Sequence, residues 1–212
     1  MNKKTVDYSL YLCTDRHLMS AATVEEAVEQ AVAGGCTVVQ LREKSCSSRE
    51  FLELALRVRG ITDSAGVPLI INDRVDIALA SGAAGVHVGQ SDLPADAVRR
   101  LMGPEGLVGV SVSCAEQAVR AVRDGADYLG VGAMYPTDTK KDTTAVSLEE
   151  LANIRAAVDV PIVVIGGINK RTVPDFRGSG INGLAVVSAV IAQPDIRAAA
   201  RELVTLFREM DK

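Results

Sequence analysis

Two cations and an amide follow one of the short apolar segments of the chain, in the run Gln40-Leu-Arg42-Glu-Lys44. Alternate side chains of an extended segment point to the same side, so Gln40, Arg42 and Lys44 share one face. A guanidinium, an ammonium and an amide on one face can bind an anionic, oxygen-rich ligand such as a phosphate. A solvated run of charges on a loop is the alternative interpretation.

Carboxylates follow the next two apolar segments. Asn72 and Asp73 come directly after one of them, and Asp92 follows the other, shortly after His87. Neighbouring parallel strands lie about 5 Å apart, so Asp73 and Asp92 can converge on one hard cation. Mg²⁺ is typically held by one or two carboxylates together with substrate phosphates, and it is therefore the expected metal. Capping of the following helices is the alternative role for the aspartates, and the two roles are compatible.

His87 has three possible roles, as a general base, as a contact to a bound ring or as a hydrogen-bonded core residue, and the last two are favoured. Ser111 follows a further apolar segment, and no Ser/His/Asp order in the chain supports a nucleophile there.

Hydroxyl groups and glycines collect after the last apolar segments. Gly167 would let a phosphate approach backbone N–H groups, and a helix beginning behind Ser188 would favour the anion. The polar segment 132–146 is long enough to order over a ligand as a lid, with an ordinary surface loop as the alternative. The candidate binding residues of these segments are Thr137, Thr139, Lys140, Gly167, Val187 and Ser188.

Eight apolar runs and the helical patterns between them must position these side chains. The runs are rich in Val, Ile and Leu without polar alternation, which is typical of parallel strands buried on both faces. We expect helices from Thr23 to Ala33 with a capping box to Glu26, from Ser48 as N-cap to about Asp63, after Ser147, and over 195–210. The expected strands are Ser9–Cys13, Thr37–Leu41, Pro68–Ile71, Gly85–Val88, Leu107–Val110, Tyr128–Val131, Ile162–Ile165 and Leu184–Val187.

A weak internal repeat favours a (β/α)8 TIM barrel over a doubly wound sheet. A glycine precedes every second strand, at Gly35, Gly82, Gly125 and Gly180. We expect a single α/β domain over residues 1–212, with the active site at the carboxyl ends of the strands, where the candidate residues would meet.

Composition excludes several other classes of protein. The net charge of −4 gives no indication of a nucleic-acid partner. Neither a signal peptide nor an apolar stretch long enough to span a bilayer is visible, so no membrane association is expected. The four cysteines form no CxxC pair, which favours reduced thiols and a cytoplasmic location. The oligomeric state stays open, and a homo-oligomer is possible.

Several motifs together resemble the thiamine phosphate synthase family. They are, in chain order, YLCTDR, VVQLREK, LIINDRVDIALASGAAGVHVGQSD, GVSVS, GVGAMYPTDTKKDT, VIGGIN and VVSAV. The resemblance covers about residues 11–191. It implies a (β/α)8 barrel that couples 4-amino-5-hydroxymethyl-2-methylpyrimidine pyrophosphate to 4-methyl-5-(2-phosphoethyl)thiazole, giving thiamine phosphate and pyrophosphate.

The resemblance also implies roles for individual residues. Asp73 and Asp92 match the Mg²⁺ ligands of the family, and Ser111 matches a pyrophosphate contact. Gln40, Arg42, Lys44, Asn72 and Lys140 match residues that hold the pyrimidine pyrophosphate, and Thr137, Thr139, Gly167, Val187 and Ser188 match the thiazole-phosphate site. Arg42, Lys44, Lys140 and Ser111 are the expected catalytic residues.

Two other functions are open to this sequence. A thiazole tautomerase shares the barrel but looks dependent on a His near position 113, where this chain has Ser113. A non-catalytic sensor of phosphorylated ligands would not need the paired aspartates. Pyrophosphate release that requires both substrates and Mg²⁺ separates the synthase from both alternatives.

Overall fold

Eight parallel strands form a closed barrel in chain order. The structure is a computed structural model that describes residues 3–136 and 145–210. Each strand pairs with its neighbours along the chain, and β1 pairs with β8 to close the barrel. The strands are β1 Leu10–Cys13, β2 Val38–Leu41, β3 Leu69–Asn72, β4 Gly85–Val88, β5 Leu107–Val112, β6 Tyr128–Val131, β7 Ile162–Val164 and β8 Gly183–Val186.

Helices cover the outside of the barrel. The connection from β7 to β8 carries only a short 3₁₀ segment, Val173–Phe176, whereas two α-helices follow β8. Among the described residues, no helix is long and apolar enough to cross a membrane. The helices are α1 Val24–Ala33, α2 Ser48–Ser64, α3 Val75–Ser81, α4 Ala95–Met102, α5 Ala115–Arg123, α6 Leu148–Ala157, α7 Ser188–Ile191 and α8 Ile196–Glu209.

The predicted barrel is confirmed, and all eight predicted strands exist within one or two residues of their predicted ends. β5 is the longest, because it continues through Ser111 to Val112 and carries Ser111 on the strand itself. The doubly wound sheet is excluded because β1 and β8 are hydrogen-bonded neighbours.

The prediction that Ser48 caps α2 is wrong. The N-cap is Ser47, whose extended backbone places its side chain to accept a hydrogen bond from the backbone N–H of Glu50. The Glu50 carboxylate accepts in return from the backbone N–H of Ser47 at 2.8 Å. The partners of a capping box stand three positions apart, with two residues between them, and Ser47 is the residue at that distance before Glu50.

The predicted capping box of α1 has two hydrogen bonds, and the structure contains one of them. The Thr23 hydroxyl accepts from the backbone N–H of Glu26 at 3.1 Å. The Glu26 carboxylate accepts from the backbone N–H of Ala22 rather than from that of Thr23. Ser147 and Asp195 cap α6 and α8 through their side chains.

Two apolar layers result from the alternation of side chains along the strands. The larger layer lies between barrel and helices and is made mainly of Val, Leu, Ile and Ala side chains. The smaller one fills the barrel interior and includes Tyr11 and Tyr128, both fully buried. Three of the four tyrosines, Tyr8, Tyr11 and Tyr128, therefore lie in the barrel interior, whereas the phenylalanines lie in the outer layer.

Candidate active site

A cavity of about 980 Å³ opens at the carboxyl ends of the strands, and residues from all eight strands or the loops that follow them line it. This is the end at which the active sites of (β/α)8 enzymes lie. Among the predicted site residues, the cavity brings together Gln40, Arg42, Lys44, Asn72, Asp73, His87, Asp92, Ser111, Gly167, Val187 and Ser188.

The end of β2 presents Gln40 and Arg42 to this cavity. Gln40 is buried, and the Arg42 guanidinium donates from Nη1 to the carboxylate of Asp15 at 3.1 Å. The backbone N–H of Arg42 donates to the side chain of Thr14 at 3.0 Å. The loop after β1 therefore fixes both the backbone and the side chain of Arg42, which reduces the entropy that Arg42 loses when it binds an anion.

Glu43 anchors the same segment from the opposite face. Its side chain is 2% exposed and accepts from Arg16 Nε at 2.8 Å. Because Glu43 is buried away from the mouth, the alternation turns its neighbours Arg42 and Lys44 toward the cavity. Glu43 is thus buried, whereas the Lys44 side chain is 54% exposed, so only part of this run of charges is solvated.

Asp73 has an unusual backbone conformation, with φ of 62°. Its N–H donates to the carbonyl of His87 at 2.8 Å, and the next N–H, of Arg74, donates to the carbonyl of Asn72 at 2.7 Å. This tight turn directs the Asp73 carboxylate to the ammonium of Lys44, with which it forms an ion pair. One predicted metal ligand and one predicted pyrophosphate ligand thus lie in direct contact.

Asp92 accepts a hydrogen bond from the backbone N–H of Gly89 at 2.7 Å, which orders the turn after β4. The helix-capping alternative is wrong for both aspartates, because the N-cap positions of α3 and α4 are Arg74 and Pro94.

Asp73 and Asp92 fit a hard divalent cation in donor chemistry. Their free oxygens are carboxylate oxygens on the loops after two hydrogen-bonded strands, β3 and β4. Among residues 3–136 and 145–210, no group of three or more His, Cys, Asp or Glu side chains surrounds a common point. Two carboxylates are enough for a cation that takes its remaining ligands from substrate phosphates and water.

His87 is buried between two hydroxyl groups. Its Nδ1 lies 3.1 Å from the hydroxyl of Tyr128, and its Nε2 lies 2.9 Å from the hydroxyl of Ser111. Both ring nitrogens therefore have partners within the barrel. This arrangement favours positioning or binding over a general-base role.

Cys13 also faces the cavity, at the end of β1. Burial raises the pKa of its thiol to about 12, so Cys13 stays a neutral thiol near pH 7. A neutral thiol is a poor nucleophile, and this agrees with the lack of a nucleophilic triad in the sequence.

The loops after β7 and β8 form the other side of the mouth. Gly166 and Gly167 both have positive φ, of 95° and 66°. A Cβ atom at Gly167 would lie 2.6 Å from the Cβ of Tyr135, so only glycine fits this contact. Ser188 begins α7 directly after β8, and its carbonyl accepts from the side chain of Gln193 at 3.0 Å. Backbone that glycine leaves open to close approach suits a phosphate.

The cavity is also lined by several side chains that the sequence analysis did not identify as candidates. Gln90 donates to the carbonyl of Ser111 at 2.7 Å and accepts from Arg120 at 2.8 Å, so it ties the loop after β4 to β5 and α5. Gln90 stands two positions before Asp92 in the sequence, and this proximity could have identified it as a candidate. Others of this kind include Gln117, Arg171 and Gln193, and Ser113, which was noted against the tautomerase, also lines the cavity. Thr137, Thr139 and Lys140, by contrast, lie outside the described residues.

Fold and site together define a (β/α)8 barrel of the enzyme class, with a cavity at its mouth whose cations and glycines suit phosphorylated small molecules. Residues 10–190 match the family described as thiamine monophosphate synthase. Thiamine-phosphate synthase of Clostridium beijerinckii is 60% identical over 97% of this chain and 98% of its own length. That of Ruminiclostridium cellulolyticum is 56% identical over 97% and 98%. Thiamine phosphate pyrophosphorylase from Pyrococcus furiosus superimposes with a TM-score of 0.89 at 37% identity, covering 97% and 98% of the two chains.

The chain belongs to the thiamine monophosphate synthase family. It is a transferase that condenses 4-amino-5-hydroxymethyl-2-methylpyrimidine pyrophosphate with 4-methyl-5-(2-phosphoethyl)thiazole to thiamine phosphate and pyrophosphate. The two relatives named above are both synthases, and no finding supports the tautomerase alternative.

Proposed function

We propose that the two sides of the mouth bind the two substrates of this condensation. Gln40, Arg42, Lys44 and Asn72 hold the pyrimidine pyrophosphate, and Gly167, Val187 and Ser188 hold the phosphate of the thiazole. The observation that carries this proposal is the convergence of cations and carboxylates on one side of a cavity whose other side is glycine-rich backbone. Thr137 and Thr139 are assigned to the thiazole side, and Lys140 to the pyrophosphate, on sequence grounds alone.

The proposed cofactor is Mg²⁺, held by Asp73 and Asp92 together with the substrate pyrophosphate. When bound, it supplies positive charge that stabilises the departing pyrophosphate. Asp73 and Lys44, which form an ion pair with each other, would hold the cation and the pyrophosphate respectively.

The protein residues act mainly on the leaving group. The thiazole nitrogen brings its own lone pair, so no side chain has to remove a proton from it. Arg42, Lys44 and Lys140 stabilise the charge that develops on the pyrophosphate as its bond to the pyrimidine methylene breaks. The electron-rich aminopyrimidine stabilises the resulting carbocation, so we assign a dissociative step. Exclusion of water from the mouth then protects the cation until the thiazole nitrogen attacks it.

The proposed location is the cytoplasm. Cys13, Cys36, Cys46 and Cys114 are all free thiols, which suits a reducing compartment.

The decisive experiment is an assay with both substrates and Mg²⁺, repeated with each of these three components left out in turn. Pyrophosphate and thiamine phosphate should form only when the pyrimidine pyrophosphate, the thiazole phosphate and Mg²⁺ are all present. Chelation of the metal should stop turnover, and added Mg²⁺ should restore it. Product formation at an equal rate in the presence of a chelator would refute the metal proposal, and turnover without the thiazole phosphate would refute the two-substrate reaction.

A further inference from the structure

Five side chains from five different strands form a continuous hydrogen-bonded chain through the barrel interior. Gln40 Nε2 donates to the hydroxyl of Tyr11 at 2.8 Å, and that hydroxyl lies 2.8 Å from the hydroxyl of Tyr128. The hydroxyl of Tyr128 contacts Nδ1 of His87 at 3.1 Å, and Nε2 of His87 contacts Ser111 Oγ at 2.9 Å. Both ends of the chain, Gln40 and Ser111, line the cavity.

The two tyrosines in the middle of this chain are neutral donors. Tyr11 is 1% exposed and Tyr128 is fully buried. Burial raises the pKa of both phenols well above the usual value, so each keeps its proton near pH 7. A neutral phenol has one proton and therefore donates a single hydrogen bond.

This limit gives the chain a direction. Gln40 Nε2 donates to the Tyr11 hydroxyl, and the contact between the two tyrosine hydroxyls admits either one as donor. The arrangement in which each proton of the chain has a partner is the one in which Tyr11 donates to Tyr128. Tyr128 in turn directs its proton to Nδ1 of His87. A neutral imidazole that accepts at Nδ1 carries its proton on Nε2. His87 Nε2 lies 2.9 Å from Ser111 Oγ. In this arrangement His87 donates to Ser111 Oγ, and Ser111 directs its own hydroxyl proton into the cavity.

Two glycines provide the space for this arrangement. In the barrel register Gly109 stands between His87 on one side and Tyr128 on the other. A Cβ atom at Gly109 would overlap both the Tyr128 ring and His87 Nδ1. A Cβ atom at Gly130 would lie 3.0 Å from Cε1 of His87. Neither glycine has positive φ, so close approach rather than backbone freedom is the physical reason for glycine here.

We propose that Tyr128 is a positioning residue for the condensation: it holds His87 in the Nε2–H tautomer and thereby makes the Ser111 hydroxyl a hydrogen-bond donor toward acceptor atoms of the pyrimidine pyrophosphate. The inference rests on the proposed function and on the pyrophosphate contact that the family resemblance implies for Ser111. Tyr128 itself does not reach the substrate and acts through His87. The opposite direction of the chain would put the proton on Nδ1 and leave Ser111 as an acceptor, which would repel the oxygens of a pyrophosphate.

The tautomer of His87 can be observed directly by ¹⁵N nuclear magnetic resonance of the imidazole nitrogens. The chain has two histidines, and His17 is exposed, so a His17→Gln variant leaves His87 as the single signal. We expect Nε2 to carry the proton near neutral pH in that variant. A proton on Nδ1, or a doubly protonated ring, would overturn the proposal without any variant in the barrel interior.

Removal of the Tyr128 hydroxyl should change both the tautomer and the kinetics. In Tyr128→Phe we expect His87 to lose its Nε2–H preference and kcat/KM for the pyrimidine pyrophosphate to fall about tenfold, the size of one hydrogen bond. The KM for the thiazole phosphate should stay within about twofold, because that substrate lies on the other side of the mouth. An unchanged tautomer would overturn the proposal, as would unchanged kinetics.

The matched control is Tyr8→Phe, since the Tyr8 ring lies 5.0 Å from that of Tyr128 and is likewise buried. Tyr8→Phe should change neither the tautomer of His87 nor the kinetics. Equal losses of kcat/KM in both variants would show that Tyr128 acts only through packing. Gly109→Ala gives a second test, because it should displace Tyr128 from His87 while both side chains are retained. The resonance experiment needs no substrate, so an Nε2–H tautomer in an inactive protein would contradict the proposed function alone.

Discussion

At the scale of single residues, the site pairs Lys44 with Asp73, two charged groups that are assigned to different ligands, the pyrophosphate and Mg²⁺. The Lys44–Asp73 ion pair is partly exposed, with Lys44 at 54% and Asp73 at 21% side-chain exposure, so it contributes little to stability. Its value lies in position: the left-handed backbone of Asp73 brings the carboxylate to the same place as the ammonium. Strained conformations of this kind persist when the surrounding structure enforces them, and they are common at functional sites.

Replacement of Asp73 by alanine should lower kcat at least about 100-fold, the effect of losing an electrostatic stabiliser of the transition state. Asp96→Ala is the control, since Asp96 pairs with Arg100 on an outer helix and lies away from the mouth. Steady-state pyrophosphate release at saturating substrates measures the effect. A near-normal kcat in Asp73→Ala would remove Asp73 from the proposed metal site.

At the scale of elements, short polar contacts at helix starts fix the loops that carry the site. Helix α2 begins four residues after Lys44, and its capping box sets the point at which the chain leaves β2 and turns back along the barrel. A shifted helix start would move the segment that contains Arg42 and Lys44. The start of α2 therefore contributes both to stability and to the geometry of the mouth.

Ser47→Ala should destabilise the protein by about 1 kcal/mol, the typical effect of losing a serine N-cap. Ser48→Ala should have a smaller effect, because the Ser48 hydroxyl only accepts from the exposed guanidinium of Arg74. Chemical denaturation of the two variants under the same conditions gives the difference. Equal losses of stability would contradict the assignment of the cap to Ser47.

At the scale of the whole molecule, the barrel closes around weak acids that must stay protonated. Burial raises the pKa of Cys13 and of Cys36 to about 12 and that of Tyr11 and Tyr128 well above the usual phenol value. In the unfolded chain these groups ionise near pH 8.5 for a thiol and near pH 10 for a phenol, to about one unit. Above those values the unfolded state binds fewer protons than the folded state, so stability falls as pH rises.

We therefore expect the melting temperature to be unaffected by these four groups below about pH 8 and to fall steadily above about pH 9. Tyrosinate absorbance from the interior should appear together with unfolding rather than before it. Thermal melts by circular dichroism between about pH 7 and 11, paired with ultraviolet difference spectra, measure both. A constant melting temperature across that range would show that the interior tolerates the anions.

Sequence patterns predicted the strands because a fully buried parallel strand is a short, almost uninterrupted run of Val, Ile and Leu. They also predicted which polar residues lie at the mouth, since Gln40, Asn72 and Ser188 each stand at or just beyond the end of such a run. The position of Ser48 misled the prediction of α2 because two adjacent serines both fit an N-cap, and only the reciprocal bond of Glu50 selects between them.

Local patterns and the order of motifs along the chain were sufficient to predict the barrel, the end at which the polar residues collect and the family. The pairings come instead from the folded arrangement: Arg42 with Asp15, Lys44 with Asp73, and the chain from Gln40 to Ser111. Tyr11 and Tyr128 are 117 positions apart, and closure of the barrel brings their hydroxyls to 2.8 Å. Partners of this kind depend on strand register and on the space left by glycines such as Gly109, and no local pattern encodes either one.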